Sequence, residues 1–236
     1  MAKNDKRIDC DNGCTHKKTI TFTDKLENAF SGLVESYNSI FNKKFIPTRD
    51  KIGFTERNLT FYFCQSFINE NPNAIVWQEM PIKDENQHLD SIIIDEEERR
   101  IHFCLIESKR IYNANYVGID DQNKDIDPRP KHGTLVKDYN RLKNIITNIN
   151  VKNKDDEIPG LKDFAEEKKK QIEYHIVQLA SLEHMKNNQG ETFKNRNERV
   201  ESFIKAKKYT YHKISIIPNI SPDYEELYLY LLADPQ

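Results

Sequence analysis

Two apolar runs separated by a charged turn constrain this chain more than any other feature. Leu89-Asp90-Ser91-Ile92-Ile93-Ile94 comes first, and Ile101-His102-Phe103-Cys104-Leu105-Ile106-Glu107-Ser108-Lys109 follows. Short runs rich in Ile and Phe flanking a polar turn predict a β-hairpin. Folding it symmetrically about Glu98-Arg99 sets Asp90 opposite Glu107. Opposed residues share a sheet face with Cβ atoms roughly 4.5–5.5 Å apart. Lys109, two residues after Glu107, faces the same side, and Ser108 faces the other. Ile92–Ile94 and Phe103–Ile106 are almost continuously apolar, so this hairpin belongs inside a central sheet covered by helices on both faces.

The flanking segments supply those helices. Thr23-Asp24 predicts a cap for a helix over 25–42, with Leu26, Phe30, Leu33, Val34, Tyr37 and Phe41 at helical spacing. A second helix is expected over 55–70, capped by Thr55, with Leu59, Tyr62, Phe63, Ser66 and Phe67 along its stripe. A short strand over 74–79 precedes the hairpin. Residues 112–133 are polar, with two prolines, and read as a long loop. Leu135, Tyr139, Leu142 and Ile146 predict an amphipathic helix over 134–148. A polar helix over 161–171, a strand over 174–180, a basic helix over 192–207 and strands over 210–217 and 226–232 complete the order. The reading is a mixed α/β domain spanning 23–236 after an N-terminal tail or leading strand at 1–22.

Composition excludes several function classes. Seven glycines and no G-x-x-x-x-G-K-[ST] or G-x-G-x-x-G argue against the common phosphate-cradling loops. A net charge of −2 rules out a uniformly basic nucleic-acid coat, although local basic faces remain possible. No apolar stretch approaches the ~18 residues needed to span a bilayer, so no membrane association is expected and a cytoplasmic location is. Cys64 and Cys104 sit in apolar segments and read as small hydrophobes. Cys10-x-x-x-Cys14-x-His16 resembles half of a zinc site, but its polar, tail-like setting lacks a second ligand pair.

The chemistry lies at the end of the hairpin. Two carboxylates on one rung repel each other unless a cation lies between them. Magnesium takes one or two carboxylates together with water and phosphate oxygens. Asp90 and Glu107 fit as its ligands, with the backbone carbonyl of Ser108 as a third. Lys109 places a positive charge beside an attacking water or a crowded phosphate. Glu-x-Lys by itself carries little weight, since Glu166-x-Lys168 and Glu167-x-Lys169 repeat it on a polar helix. What distinguishes Glu107-x-Lys109 is its place at the end of an apolar strand beside an aspartate.

This arrangement resembles the PD-(D/E)xK nuclease superfamily, the restriction-endonuclease-like fold. The family's core of helix, three strands, helix, strand would correspond to the segments between about 54 and 185, leaving 190–236 as a C-terminal α/β elaboration. By that match Asp90 is the family's aspartate, Glu107 its acidic partner and Lys109 its lysine. Leu89 stands where a proline is usual. Glu56 fits the further glutamate that members carry on the first core helix, and Glu79 fits an outer metal ligand. Lys137 and Arg141, one turn apart, fit phosphate contacts. The resemblance implies a Mg2+-dependent (Mn2+-tolerant) DNA endonuclease of restriction or phage-defence type. It would act as a homodimer, with a cognate methyltransferase if restriction-type. The alternative is a nuclease-like fold that binds nucleic acid without cutting it.

Overall fold

A computed structural model describes residues 20–43, 55–82, 88–111, 134–152, 158, 160–185, 191–207, 209–221 and 224–235. The Cys10/Cys14/His16 motif, the 112–133 loop and nearly all of the 1–22 tail therefore lie outside the described residues.

Helix α1 (Phe22–Asn42) begins earlier than Thr23-Asp24 suggested. Its cap is Thr21, whose hydroxyl accepts from the Asp24 N–H while the Asp24 carboxylate accepts from the Thr21 N–H at 2.8 Å, a reciprocal capping box. The same aspartate serves either threonine in a sequence pattern, but only Thr21 has it at the third helical position. Helix α2 (Glu56–Glu70) starts after Thr55, as expected.

Strands β1 (Ile75–Pro81), β2 (His88–Glu96) and β3 (Arg100–Ile111) form an antiparallel meander. Helices α3 (Leu135–Lys152) and α4 (Leu161–Lys168) then lead to β4 (Gln171–Met185), which pairs parallel to β3. Lys169 adopts a left-handed backbone (φ 53°), so α4 stops short of 171 and β4 starts three residues earlier than the apolar pattern implied. Helix α5 (Glu191–Lys207) precedes β5 (Tyr211–Ser221) and β6 (Tyr224–Pro235). Together they form one six-stranded mixed sheet in the order β1-β2-β3-β4-β6-β5. The segment read as a C-terminal elaboration thus contributes two strands to the same sheet, and Pro218 is accommodated because β5 is an edge.

Each face has its own core. Phe30, Leu33 and Tyr37 of α1 and Leu59, Phe63 and Phe67 of α2 pack on Ile93, Cys104, Ile106, Val177 and Leu179. Leu135, Tyr139 and Leu142 of α3 and Val200 and Phe203 of α5 pack on Ile92, Phe103, Leu105, Ile176 and Leu182. This two-sided cover explains why the central strands carry apolar residues at consecutive positions. Among the described residues no helix is long and apolar enough to cross a membrane.

Candidate active site

The hairpin forms in the register that symmetry about Glu98-Arg99 requires, with partners running from Glu96–Ile101 to Ser91–Ile106. The paired rungs end there, and Asp90 and Glu107 are the next residues on the two strands, close enough for the Asp90 charge to act on Glu107. At this end of β3 the Ser108 N–H donates to Asp90 Oδ2 at 2.7 Å. The N–H and C=O of one strand residue share an edge, so the Ser108 carbonyl also lies on the Asp90 side. The Ser108 hydroxyl sits on the opposite face, 2.6 Å from Thr60 Oγ1 of α2.

Two helix N-termini complete the site. In the first turn of α2, the Glu56 carboxylate accepts from the Arg110 N–H at 3.0 Å and lies 3.7 Å from Lys109 Nζ. Thr134 caps α3 by accepting from the Lys137 N–H, and this fixes Asp138 in the first turn with Arg141 one turn on. Asp138 Oδ2 lies 3.1 Å from Lys109 Nζ, and the Arg141 guanidinium donates to Glu107 Oε1.

The electrostatics follow from burial. Glu107 is 6% exposed. Burial pushes its carboxyl well above the usual range, the neighbouring Asp90 adds to the rise, and Arg141 opposes it. Asp90 is also pushed up by burial, against the Ser108 N–H and with the charges of Glu56 and Asp138. Burial disfavours the charge on Lys109, but Asp138, Glu56 and Glu107 together outweigh it and its ammonium is held above the ordinary lysine value. Four carboxylates (Glu56, Asp90, Glu107, Asp138) thus face two cations (Lys109, Arg141). Fully ionised, the cluster carries a deficit of two positive charges. That deficit, with oxygen donors and one pair of carboxylates on adjacent strands, fits a hard divalent cation.

The remaining expected residues are placed differently. Glu79 has a left-handed backbone (φ 53°), and its exposed carboxylate pairs with Arg57 at 3.1 Å. Arg141 points inward to Glu107, whereas Lys137 is exposed. Asp138 was not anticipated. The signal for it was present, because it falls on the Leu135–Leu142 stripe of α3, where a carboxylate is out of place without a partner.

Fold and site together define a mixed α/β protein with an acidic, lysine-bearing cluster at the end of a central strand. The chain matches no protein-family model, no curated protein and no solved structure. Among the described residues, the His, Asp and Glu donors that meet most closely as a trio lie elsewhere. His102, Glu173 and His175 have ligand atoms within 4.8 Å of one another and can hold a metal ion.

Proposed function

We propose that this protein is a divalent-metal-dependent nuclease that hydrolyses phosphodiester bonds in DNA. The observation that carries the reading is the buried carboxylate cluster of Asp90, Glu107, Glu56 and Asp138 just past the last paired rung of the hairpin, two positive charges short when fully ionised, with Lys109 held beside it. Among the described residues, the helix, three-strand, helix, strand run of α2-β1-β2-β3-α3-β4, with α4 inserted before β4, agrees with the PD-(D/E)xK resemblance. Asp90, Glu107 and the Ser108 carbonyl would hold magnesium. When bound, the ion lowers the pKa of an attacking water and neutralises charge on the phosphate oxygens. Lys109, fixed by Asp138 and Glu56, keeps its proton and presents positive charge to the developing phosphorane. Glu56 thus acts chiefly by positioning Lys109 and the end of β3. Lys137 on the exposed side of α3 supplies a phosphate contact that carries no base information. A restriction or phage-defence role is the family-level expectation, and a homodimer would duplicate the site for the second strand.

Purified protein incubated with supercoiled plasmid should nick and linearise it with Mg2+ or Mn2+ and leave it intact in EDTA. Asp90→Ala and Lys109→Ala should abolish cutting while retaining the far-UV spectrum. Full activity in either variant overturns the assignment. The second reading, DNA binding without cutting, draws on the fact that Lys109 and Arg141 already have carboxylate partners. Calorimetry that detects DNA binding but no magnesium uptake would favour it.

A further inference from the structure

His102 and His175 are buried histidines that the proposed nuclease chemistry does not use. They lie on the α1–α2 face of the sheet, opposite Glu107, and five residues away along β3. At the strand rise this is about 17 Å from the acidic cluster.

His102 and Glu173 are direct partners in the parallel β3–β4 ladder, and His175 is the next residue on the same face of β4. His102 Nδ1 is 3.0 Å from His175 Nε2 and 3.4 Å from Glu173 Oε2. Zinc bonds of about 2.0–2.1 Å to nitrogen and oxygen put neighbouring donors of a tetrahedron about 3.3–3.4 Å apart. The two distances already match that edge to within a few tenths of an ångström. The backbones come from central strands, so the donors are held by two ladders rather than by a loop.

The surroundings are those of a ligand set. The His102 ring is 3% exposed and lies flat under Phe22, with centroids 4.4 Å apart and planes 10° apart. Phe22 also covers His175 at 4.4 Å. The other nitrogen of His102, Nε2, faces Glu97 Oε2 at 3.4 Å, and Glu97 is fixed by Lys25 at 2.9 Å. A carboxylate on the far nitrogen is the usual way a ligating histidine is oriented. The far oxygen of Glu173 is fixed by Arg100 at 2.8 Å. The fold therefore supplies the three donors and, beside His102 and Glu173, charged groups that can orient them. Two imidazoles and one carboxylate suit zinc and its neighbours among the transition metals, and they do not suit magnesium or calcium, which take oxygen.

We propose that His102, His175 and Glu173 bind one zinc-class transition metal ion that bridges β3 and β4 beneath the Phe22 ring at the start of α1. Without the ion, the two rings share a hydrogen bond across the same gap. The ion fixes the donors and the Phe22 lid above them, so its role is to hold the fold at this end.

The test uses the full chain carrying Cys10→Ser, Cys14→Ser and Asp90→Asn, which removes the N-terminal thiols and the proposed magnesium ligand beside Glu107. Cobalt(II) titration should give the visible absorption of a four-coordinate nitrogen–oxygen site at one ion per chain, and zinc should displace it. Zinc should raise the melting temperature and magnesium should not. Glu173→Gln, at a half-exposed position where folding is safe, should weaken zinc affinity at least about tenfold. His175→Gln should remove the cobalt spectrum. No cobalt spectrum in the parent chain, or zinc affinity unchanged in both variants, overturns the proposal. Because Asp90 is already replaced, neither outcome bears on the nuclease reading.

Discussion

Ionisation of Glu107 is opposed by burial and by the neighbouring Asp90, and Arg141 offsets only part of this. A carboxyl raised in the folded state binds its proton more tightly there than in the unfolded chain. Its stabilising contribution is therefore complete below the unfolded glutamate range and is lost as pH rises through the folded value. Asp90 acts in the same direction. In EDTA, the wild type should lose stability relative to Glu107→Gln as pH rises from acidic to neutral, as followed by urea titration. Magnesium at about 100 times its Kd should restore about 2.7 kcal/mol to the wild type alone. Parallel pH profiles for the two proteins would show that Glu107 is not the group being titrated. Lys109 is coupled to the same cluster through Asp138, both side chains being nearly covered. Lys109→Met should cost about 3–5 kcal/mol by stranding Asp138, and Asp138→Asn in the same chain should recover part of that loss. Much of this cluster was legible in sequence, because strand alternation and the symmetry of the hairpin fix which residues meet. The left-handed backbone at Glu79 interrupts the strand alternation there, which no sequence pattern signals. His102 and His175 were illegible as a pair. Their meeting depends on the parallel register of two strands joined through 112–170, which no local pattern encodes.

Helix α1 approaches α2 closely at Gly32. A Cβ there would lie 2.5 Å from Ser66 Oγ and 2.8 Å from its Cβ, closer than real contacts allow. Gly32→Ala gains about 1 kcal/mol of helix propensity. The overlap costs about 1–3 kcal/mol, and since Ser66 Cβ cannot swing away as a hydroxyl can, the upper part of that range applies and the net effect is loss. Thermal unfolding should register the loss, and Ser66→Gly added to Gly32→Ala should reverse most of it. Stability gained in Gly32→Ala would mean that the helices sit farther apart than described. The helices themselves were readable because their apolar positions recur every three to four residues over long spans. Their ends were less so. Thr21 and Thr23 both offer a hydroxyl before the stripe, and α4 ends where a backbone angle changes sign at Lys169.

At the scale of the whole molecule, the order in which strands meet is the part that sequence left open. β6 enters between β4 and β5, so the last strand of the chain is interior and the one before it is an edge. The other edge, β1, leaves Ile75 and Trp77 turned to solvent, Trp77 being 58% exposed. Among the described residues β1 is an edge strand with exposed apolar side chains, and such an edge is a template for pairing with another chain. A symmetric dimer along β1 would bury the protein's single tryptophan, which makes the association optically visible. In dilute solution Trp77 should emit as a water-exposed indole and be quenched readily by iodide. As concentration rises through the range where sedimentation detects a dimer, emission should shift to shorter wavelength and quenching should fall. Trp77→Lys should remove the dimer, because a lysine on the edge must keep its ammonium solvated and two would face each other across the axis. A dimer in which the indole stays fully quenchable would locate the interface away from β1. A chain that sediments as a monomer throughout yet linearises plasmid would remove the need for paired sites altogether.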